Sequence, residues 1–138
     1  MPISSELCAY AAGFVDGEGC ICFTRRKYGY YPVIQVSNTN KDVLDFLVMV
    51  FGGKVGKKSD NTDKWKAQYV WRLFGPRAVE FLRLIHPYLL VKRTQAETVF
   101  QWRELREPGK RITQSVMDEL FVLDVQMKVL NARGPQDA

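Results

Sequence analysis

Tyr10-Ala11-Ala12-Gly13-Phe14-Val15-Asp16-Gly17-Glu18-Gly19 is a run of small and apolar residues that closes on two glycines flanking one carboxylate. Ala9, Gly13 and Gly17 recur every four residues, so on a helix they stack on one face. Such spacing lets a second helix approach until the two backbones nearly touch, a packing logic also used between membrane helices. This run is too short and too interrupted to span a bilayer. Gly17 and Gly19, with their free φ, are expected to terminate the helix and leave Glu18 at its end. Two such helices side by side would bring two copies of Glu18 together at their base. Paired carboxylates beside glycine carbonyls make a hard-oxygen site for a divalent cation such as Mg²⁺.

Working outward, the first helix is predicted over residues 5–17, with Ser4 or Ser5 as N-cap. A β-rich segment follows at once. Cys20–Lys27 reads as a strand, with Ile21 and Phe23 on one face and Cys22, Thr24 and Arg26 on the other. A turn around Gly29 leads to a second strand, Tyr31–Asn38, with Ile34 and Val36 inward and Tyr31, Val33, Gln35 and Ser37 outward. Lys41–Phe51 is a helix stopped by Gly52-Gly53. Lys54–Lys58 is a short basic strand, and Lys66–Phe74 is a strand with Tyr69, Trp71 and Leu73 toward the core. Gly75-Pro76 opens a helix that His86-Pro87 ends. Helices over Thr94–Arg106 and Ile112–Asn131 follow, and residues 132–138 form a polar tail. The order is αββαββα with additional C-terminal helices. It implies an α+β fold in one domain, residues 1–131, with one face of a four-stranded antiparallel sheet packed on helices.

Charge is distributed unevenly. The net charge is +5, weak evidence of a polyanionic partner by itself. Residues 1–18 hold three acids and no Lys or Arg, whereas residues 19–72 hold ten Lys/Arg against four Asp/Glu. The basic excess therefore lies on the β-rich segment, the footprint of a nucleic-acid binder. The outward sheet face presents Thr24, Arg26, Gln35, Lys58, Gln68 and Arg72, long hydrogen-bonding side chains suited to base edges in a major groove. Arg25, Lys27, Lys57, Lys64 and Lys66 are the candidates for phosphate contacts, and Tyr31 shares the outward face. The plain alternative is the wet, basic face of a half-buried antiparallel sheet.

Three cysteines, Cys8, Cys20 and Cys22, match no zinc spacing and read as small, partly buried residues of a reducing compartment. No leader or transmembrane run is evident, so an intracellular protein is expected. The single histidine, His86, argues against chemistry built on a histidine general base or a His-rich metal site. It is expected to cap or pack, and Trp65, Trp71 and Trp102 are expected in the core or an interface.

Ala11-Ala12-Gly13-Phe14-Val15-Asp16-Gly17-Glu18-Gly19 resembles the LAGLIDADG motif of homing endonucleases, and the αββαββα order resembles that family's core. Pro87-Tyr88-Leu89-Leu90-Val91-Lys92-Arg93-Thr94-Gln95-Ala96 is similar to the family's stretch before its late helices. The resemblance spans roughly residues 5–130. It implies a homodimer, with Ala9, Ala12, Gly13 and Asp16 at the interface between motif helices. It implies a saddle-shaped sheet over the major groove of double-stranded DNA. Glu18, helped by the Gly17 carbonyl, would bind Mg²⁺ or Mn²⁺, with no small-molecule cofactor. Lys92 would support water activation or transition-state charge, and Asn38 would order the water network. The implied reaction is hydrolysis of both strands across the minor groove of a long, near-palindromic target, leaving 3′ overhangs. Asp16 is expected to make local hydrogen bonds.

The sequence departs from the family pattern in four places. Ala11 stands for a leucine, Glu18 for an aspartate and Asn38 for a longer glutamine. A basic residue a few positions on is matched only loosely by Lys41, with Asp42 beside it. The rival reading is a non-catalytic nucleic-acid binder on the same fold, either an intron RNA maturase or a DNA-binding regulator. Retention of Glu18 and Lys92 favours the nuclease. A plain α+β dimer of other role is the third.

Overall fold

A computed structural model describes residues 3–132 of the chain. The predicted tail therefore lies, from residue 133 onward, outside the described residues. Ten elements follow in order, nine of them regular helices or strands: α1 (Ser5–Glu18), β1 (Gly19–Arg26), β2 (Gly29–Asn38), α2 (Lys41–Phe51), β3 (Lys54–Ser59), β4 (Gln68–Phe74), α3 (Gly75–Ile85), a 3-10 turn (His86–Tyr88), α4 (Arg93–Leu105) and α5 (Gln114–Asn131). The four strands form one antiparallel sheet in the order β1-β2-β4-β3. This is the predicted α+β architecture.

α1, α2 and α5 each start where a short polar side chain can take a free N–H, whereas α3 opens on Gly75-Pro76 and α4 has no side-chain cap. Ser4 Oγ accepts from Leu7 N, Asn40 Oδ1 from Val43 N and Thr113 Oγ1 from Val116 N, each at 3.2 Å. α1 turns Cys8, Ala11, Ala12 and Val15 inward, a stripe at helical spacing. The core joins this stripe to Ile21, Ile34 and Val36 of the sheet, to Trp71 and Leu73 of β4, and to Ala78, Leu82 and Ile85 of α3. α4 and α5 extend it with Ala96, Val99, Trp102, Leu120 and Met127. Trp71 Nε1 donates to Gly52 O at 2.8 Å and Trp102 Nε1 to Tyr30 O at 2.6 Å, so both indoles are buried without an orphan donor.

Several boundaries shift for local reasons. β2 begins at Gly29, because Arg26 pairs with Gly29 and the turn is only Lys27-Tyr28. β4 begins at Gln68 rather than Lys66. Asn61 Oδ1 takes the Ala67 N–H at 2.5 Å, and Thr62 Oγ1 takes the Trp65 N–H at 3.0 Å, so side chains hold this stretch as a loop. β3 runs on to Ser59 across an irregularity in register between Lys57 and Ser59.

Candidate metal centre and nucleic-acid interface

Glu18 is the last residue of α1 and is exposed, and β1 starts at the next residue. The terminating role of the glycines is not the one expected. Gly17 is helical, and Gly19 has φ −96°, ordinary extended backbone. Space fixes Gly19 instead: a Cβ there would lie 2.9 Å from Val15 O and 3.0 Å from Val15 Cα. The strand leaves the helix so closely that only glycine fits, which holds Glu18 at the junction.

The open face of α1 carries Ala9, Tyr10, Gly13 and Gly17, all exposed. A Cβ at Gly13 or Gly17 would meet nothing of the described residues within 4 Å. Ala12 is corrected: it is 0% exposed within the chain's own core. One residue step turns a helix by about 100°, which carries Ala12 off the Ala9–Gly13–Gly17 line and onto the buried stripe.

Asp16 bridges to a distant segment. Its carboxylate accepts Leu90 N–H at 2.8 Å and Lys92 N–H at 3.0 Å. Lys92 Nζ in turn donates to the Asp16 carbonyl at 2.9 Å. That carbonyl lies in the last turn of α1, where intrahelical donors run out and a cation is favoured. The expected local bonding of Asp16 is thus a contact across the fold, with Leu90 and Lys92 as partners. It seats Lys92 at the helix end that carries Glu18.

Cys20, two residues beyond Glu18, also faces this place. Its thiol is pulled down to about 6 by the hydrogen bond with Cys22, against the effect of burial, with further pull from the Lys92 ammonium and from Gln35. The same bond, with burial, pushes the Cys22 thiol up. All three cysteines are free. An open depression of about 360 Å³ beside them is lined by Gly19, Cys20, Lys92, Gln95 and Asn131, among others. Asn131 Nδ2 donates to Ile21 O at 2.8 Å and Gln95 Nε2 to Asn131 Oδ1 at 3.3 Å, tying α4 and α5 to β1 there. No sequence signal marked Cys20, Gln95 or Asn131, because their proximity depends on how the late helices dock.

Asn38 ends β2, two residues past Val36, the partner of Gly19. It therefore lies at the same end of the sheet as Glu18. Its Oδ1 is committed to Asn40 N–H at 2.8 Å, holding the turn into α2 and leaving the amide nitrogen as its remaining polar atom.

The outward sheet face forms as the alternation requires. Gln35 pairs with Cys20 on one side and Arg72 on the other, and Thr24 pairs with Tyr31. Arg72 Nε donates to Gln35 Oε1 at 3.2 Å, and Lys58 Nζ to Ser37 Oγ at 3.4 Å. The Arg26 guanidinium lies 5.3 Å from the Phe74 ring centroid, and Gln68 is exposed at the start of β4. Tyr31 is different. Its ring sits 5.9 Å from that of Trp102, and its hydroxyl accepts from Arg106 Nη2 at 3.4 Å, so it is half-buried against α4.

The candidate phosphate contacts scatter around this face. Arg25 has the opposite strand parity, with its guanidinium 6.0 Å from the Tyr30 ring, and Lys27 is in the hairpin turn. Lys57 also falls on the opposite face, opposite Tyr69, and pairs with Asp60 at 2.9 Å, which raises its ammonium pKa. Lys64 and Lys66 are exposed in the β3–β4 loop, and Trp65 between them is 72% exposed rather than buried. His86 packs as expected, 5.4 Å from the Phe100 ring and 2.9 Å from Glu97 Oε2.

The fold is that of homing endonucleases. It is similar to I-CvuI, solved in complex with its target in the presence of Ca, at TM-score 0.79 and 25% identity over 95% of this chain and 85% of that one. It is similar to I-Vdi141I, an archaeal intron-encoded homing endonuclease complexed with DNA, at TM-score 0.77 and 18% identity over 94% and 86% of the two chains. The LAGLIDADG homing endonuclease I-SmaMI, bound to cleaved DNA, matches at TM-score 0.68 and 15% identity over 91% of this chain and 45% of that one. No protein-family model matches the chain, and no curated protein matches it.

Proposed function

We propose that this chain is a homodimeric, site-specific endonuclease that hydrolyses both strands of a long, near-palindromic DNA target with a divalent metal, leaving 3′ overhangs. The observation that carries the proposal is the junction at the end of α1. An exposed carboxylate, Glu18, and a lysine tied to the same helix end, Lys92, stand beside a sheet face of arginine, lysine and glutamine.

The donor set fits a hard cation shared between chains. Among the described residues, no group of three or more His, Cys, Asp or Glu converges as a metal site within one chain. Glu18 and the Gly17 carbonyl offer oxygen only, the chemistry that suits Mg²⁺ or Mn²⁺, which keep water and substrate phosphates as most of their ligands. A second Glu18 and the scissile phosphates would complete the shell. When bound, the metal supplies charge stabilisation at the attacking and leaving oxygens. Lys92 holds a positive charge near that phosphate, and Asn38 offers its amide nitrogen to ordered water. The open glycine face of α1 supports dimerisation, since none of the described residues fills the space beside Gly13 and Gly17. Gln35, Arg72, Arg26, Thr24, Lys58 and Gln68 read base edges, and Arg25, Lys27, Lys57, Lys64 and Lys66 contact phosphates.

Incubation with Mg²⁺ and a randomised duplex library, followed by sequencing of cut ends, tests the reading directly. One long symmetric consensus with 3′ overhangs is expected. Glu18→Gln should lower cleavage of that duplex by about 100-fold or more while leaving binding nearly intact. A Glu18→Gln protein that cuts at the wild-type rate rules out the site. Tight DNA binding with no cleavage of any duplex would instead favour a binder on the same fold.

A further inference from the structure

Between the 3-10 turn and α4 the chain belongs to no strand; Leu89 N–H still donates to His86 O at 3.2 Å, but Leu90 and Lys92 turn to another part of the fold. Leu89 anchors one side of it at 0% exposure, whereas Leu90 and Val91 are 86% and 69% exposed. Backbone N–H groups outside helix and sheet need a partner, and for Leu90 and Lys92 a single residue supplies it. The Asp16 carboxylate takes the N–H of Leu90 and of Lys92, one oxygen each. An ionised acceptor makes such bonds shorter and stronger than neutral ones. The Asp16 carbonyl then takes the Lys92 ammonium. A lysine is ordinarily a point charge on a four-carbon stem with free rotors. Lys92 is instead held at both ends, at its main-chain nitrogen and at Nζ, by the same residue.

From this geometry we infer that Asp16 is a positioning residue that sets the Lys92 ammonium relative to Glu18. α1 thereby fixes both charged groups of the site: Glu18 through the chain itself, and Lys92 through Asp16. The inference rests on the reading of the chain as a metal-dependent endonuclease. It assigns Asp16 to the chemistry rather than to the contact between chains.

The test is a double-mutant cycle on the duplex recovered from the library, in single turnover with Mg²⁺, with affinity measured separately in the absence of metal. Asp16→Ala should slow cleavage by about 100-fold, the cost typical of a misplaced catalytic group, with DNA affinity and oligomeric state unchanged. Asp16→Asn keeps one acceptor oxygen but sets an amide donor against the second N–H, so its rate should fall between the two. In a Lys92→Ala background, Asp16→Ala should cost nothing further, because its effect passes through Lys92. Two results overturn the inference: Asp16→Ala cutting at the wild-type rate, or the double variant losing the full Asp16 factor on top of Lys92→Ala. If Asp16→Ala does not fold, Asp16→Asn and its double variant carry the same cycle. A wild-type protein that cuts no duplex overturns the endonuclease reading itself, a separate failure seen before any variant is made.

Discussion

Gly53 shows how a single position governs the sheet beneath the site. Its φ is +87°, and a Cβ there would lie 2.5 Å from Arg72 O and 2.8 Å from Trp71 Nε1. Both the left-handed backbone and the close approach exclude a side chain. The neighbouring Gly52 carbonyl holds the Trp71 indole, which is 0% exposed at the centre of the core. Gly53→Ala should therefore cost about 1–3 kcal/mol, and more if the indole loses its acceptor. Thermal unfolding checks this, with a midpoint lowered by roughly 4 °C per kcal/mol expected for a domain of this size. An unchanged midpoint would mean that the α2–β3 turn relaxes without disturbing Trp71. Gly19 is constrained by space alone, so its replacement should act on the α1–β1 step and on the placement of Glu18.

At the scale of the element, α1 has one face in the chain's own core and one open face. Cys8, Ala11, Ala12 and Val15 fill the chain's own core, each at 4% exposure or less. Ala9, Gly13 and Gly17 form a flat outer face, bordered by Tyr10 and Phe14, whose rings lie 5.9 Å apart. Because a Cβ at Gly13 meets no atom of the described residues within 4 Å, Gly13→Leu should leave the fold of one chain intact. If α1 forms the seam of the proposed dimer, the same change should abolish dimerisation, since a leucine would keep two backbones apart. Sedimentation, with circular dichroism as the control for folding, measures both. A folded variant that still sediments as a dimer would place the interface on another face. The outer face of α5 is also rich in exposed apolar residues, Val122, Val125 and Val129 among them, which gives such a result an alternative surface to examine.

For the whole molecule, electrostatics sets the expected behaviour. Basic residues concentrate on and around the sheet, while exposed Glu18 ends a segment that carries three acids and no base. DNA affinity should therefore fall steeply with salt, on the order of 1,000-fold between about 50 mM and 200 mM if a dimer neutralises six or more phosphates. Fluorescence anisotropy with a labelled duplex gives the slope, and a flat response would count against the sheet as the DNA surface. Lys57 should contribute less to that slope than Lys58, because Lys57 is paired with Asp60 and points to the other face. No described helix is long and apolar enough to cross a membrane.

The sequence by itself determined the order of elements and the alternation that separates Ile21, Ile34, Trp71 and Leu73 from Thr24, Gln35 and Arg72. Those follow from local periodicity, from caps such as Ser4, Asn40 and Thr113, and from glycine and proline stops. It also marked the helix end that carries Glu18. Boundaries at Lys66 and Tyr31 shifted because side-chain bonds from Asn61 and Thr62, and the two-residue turn at Lys27-Tyr28, act beyond what periodicity registers. Only the tertiary structure decided which face of α1 is open, which turned Ala12 into the chain's own core. It alone brought Asp16 to Leu90 and Lys92, across more than 70 residues of chain. Local sequence carries no record of such contacts, because they exist only once the late helices have docked against the first.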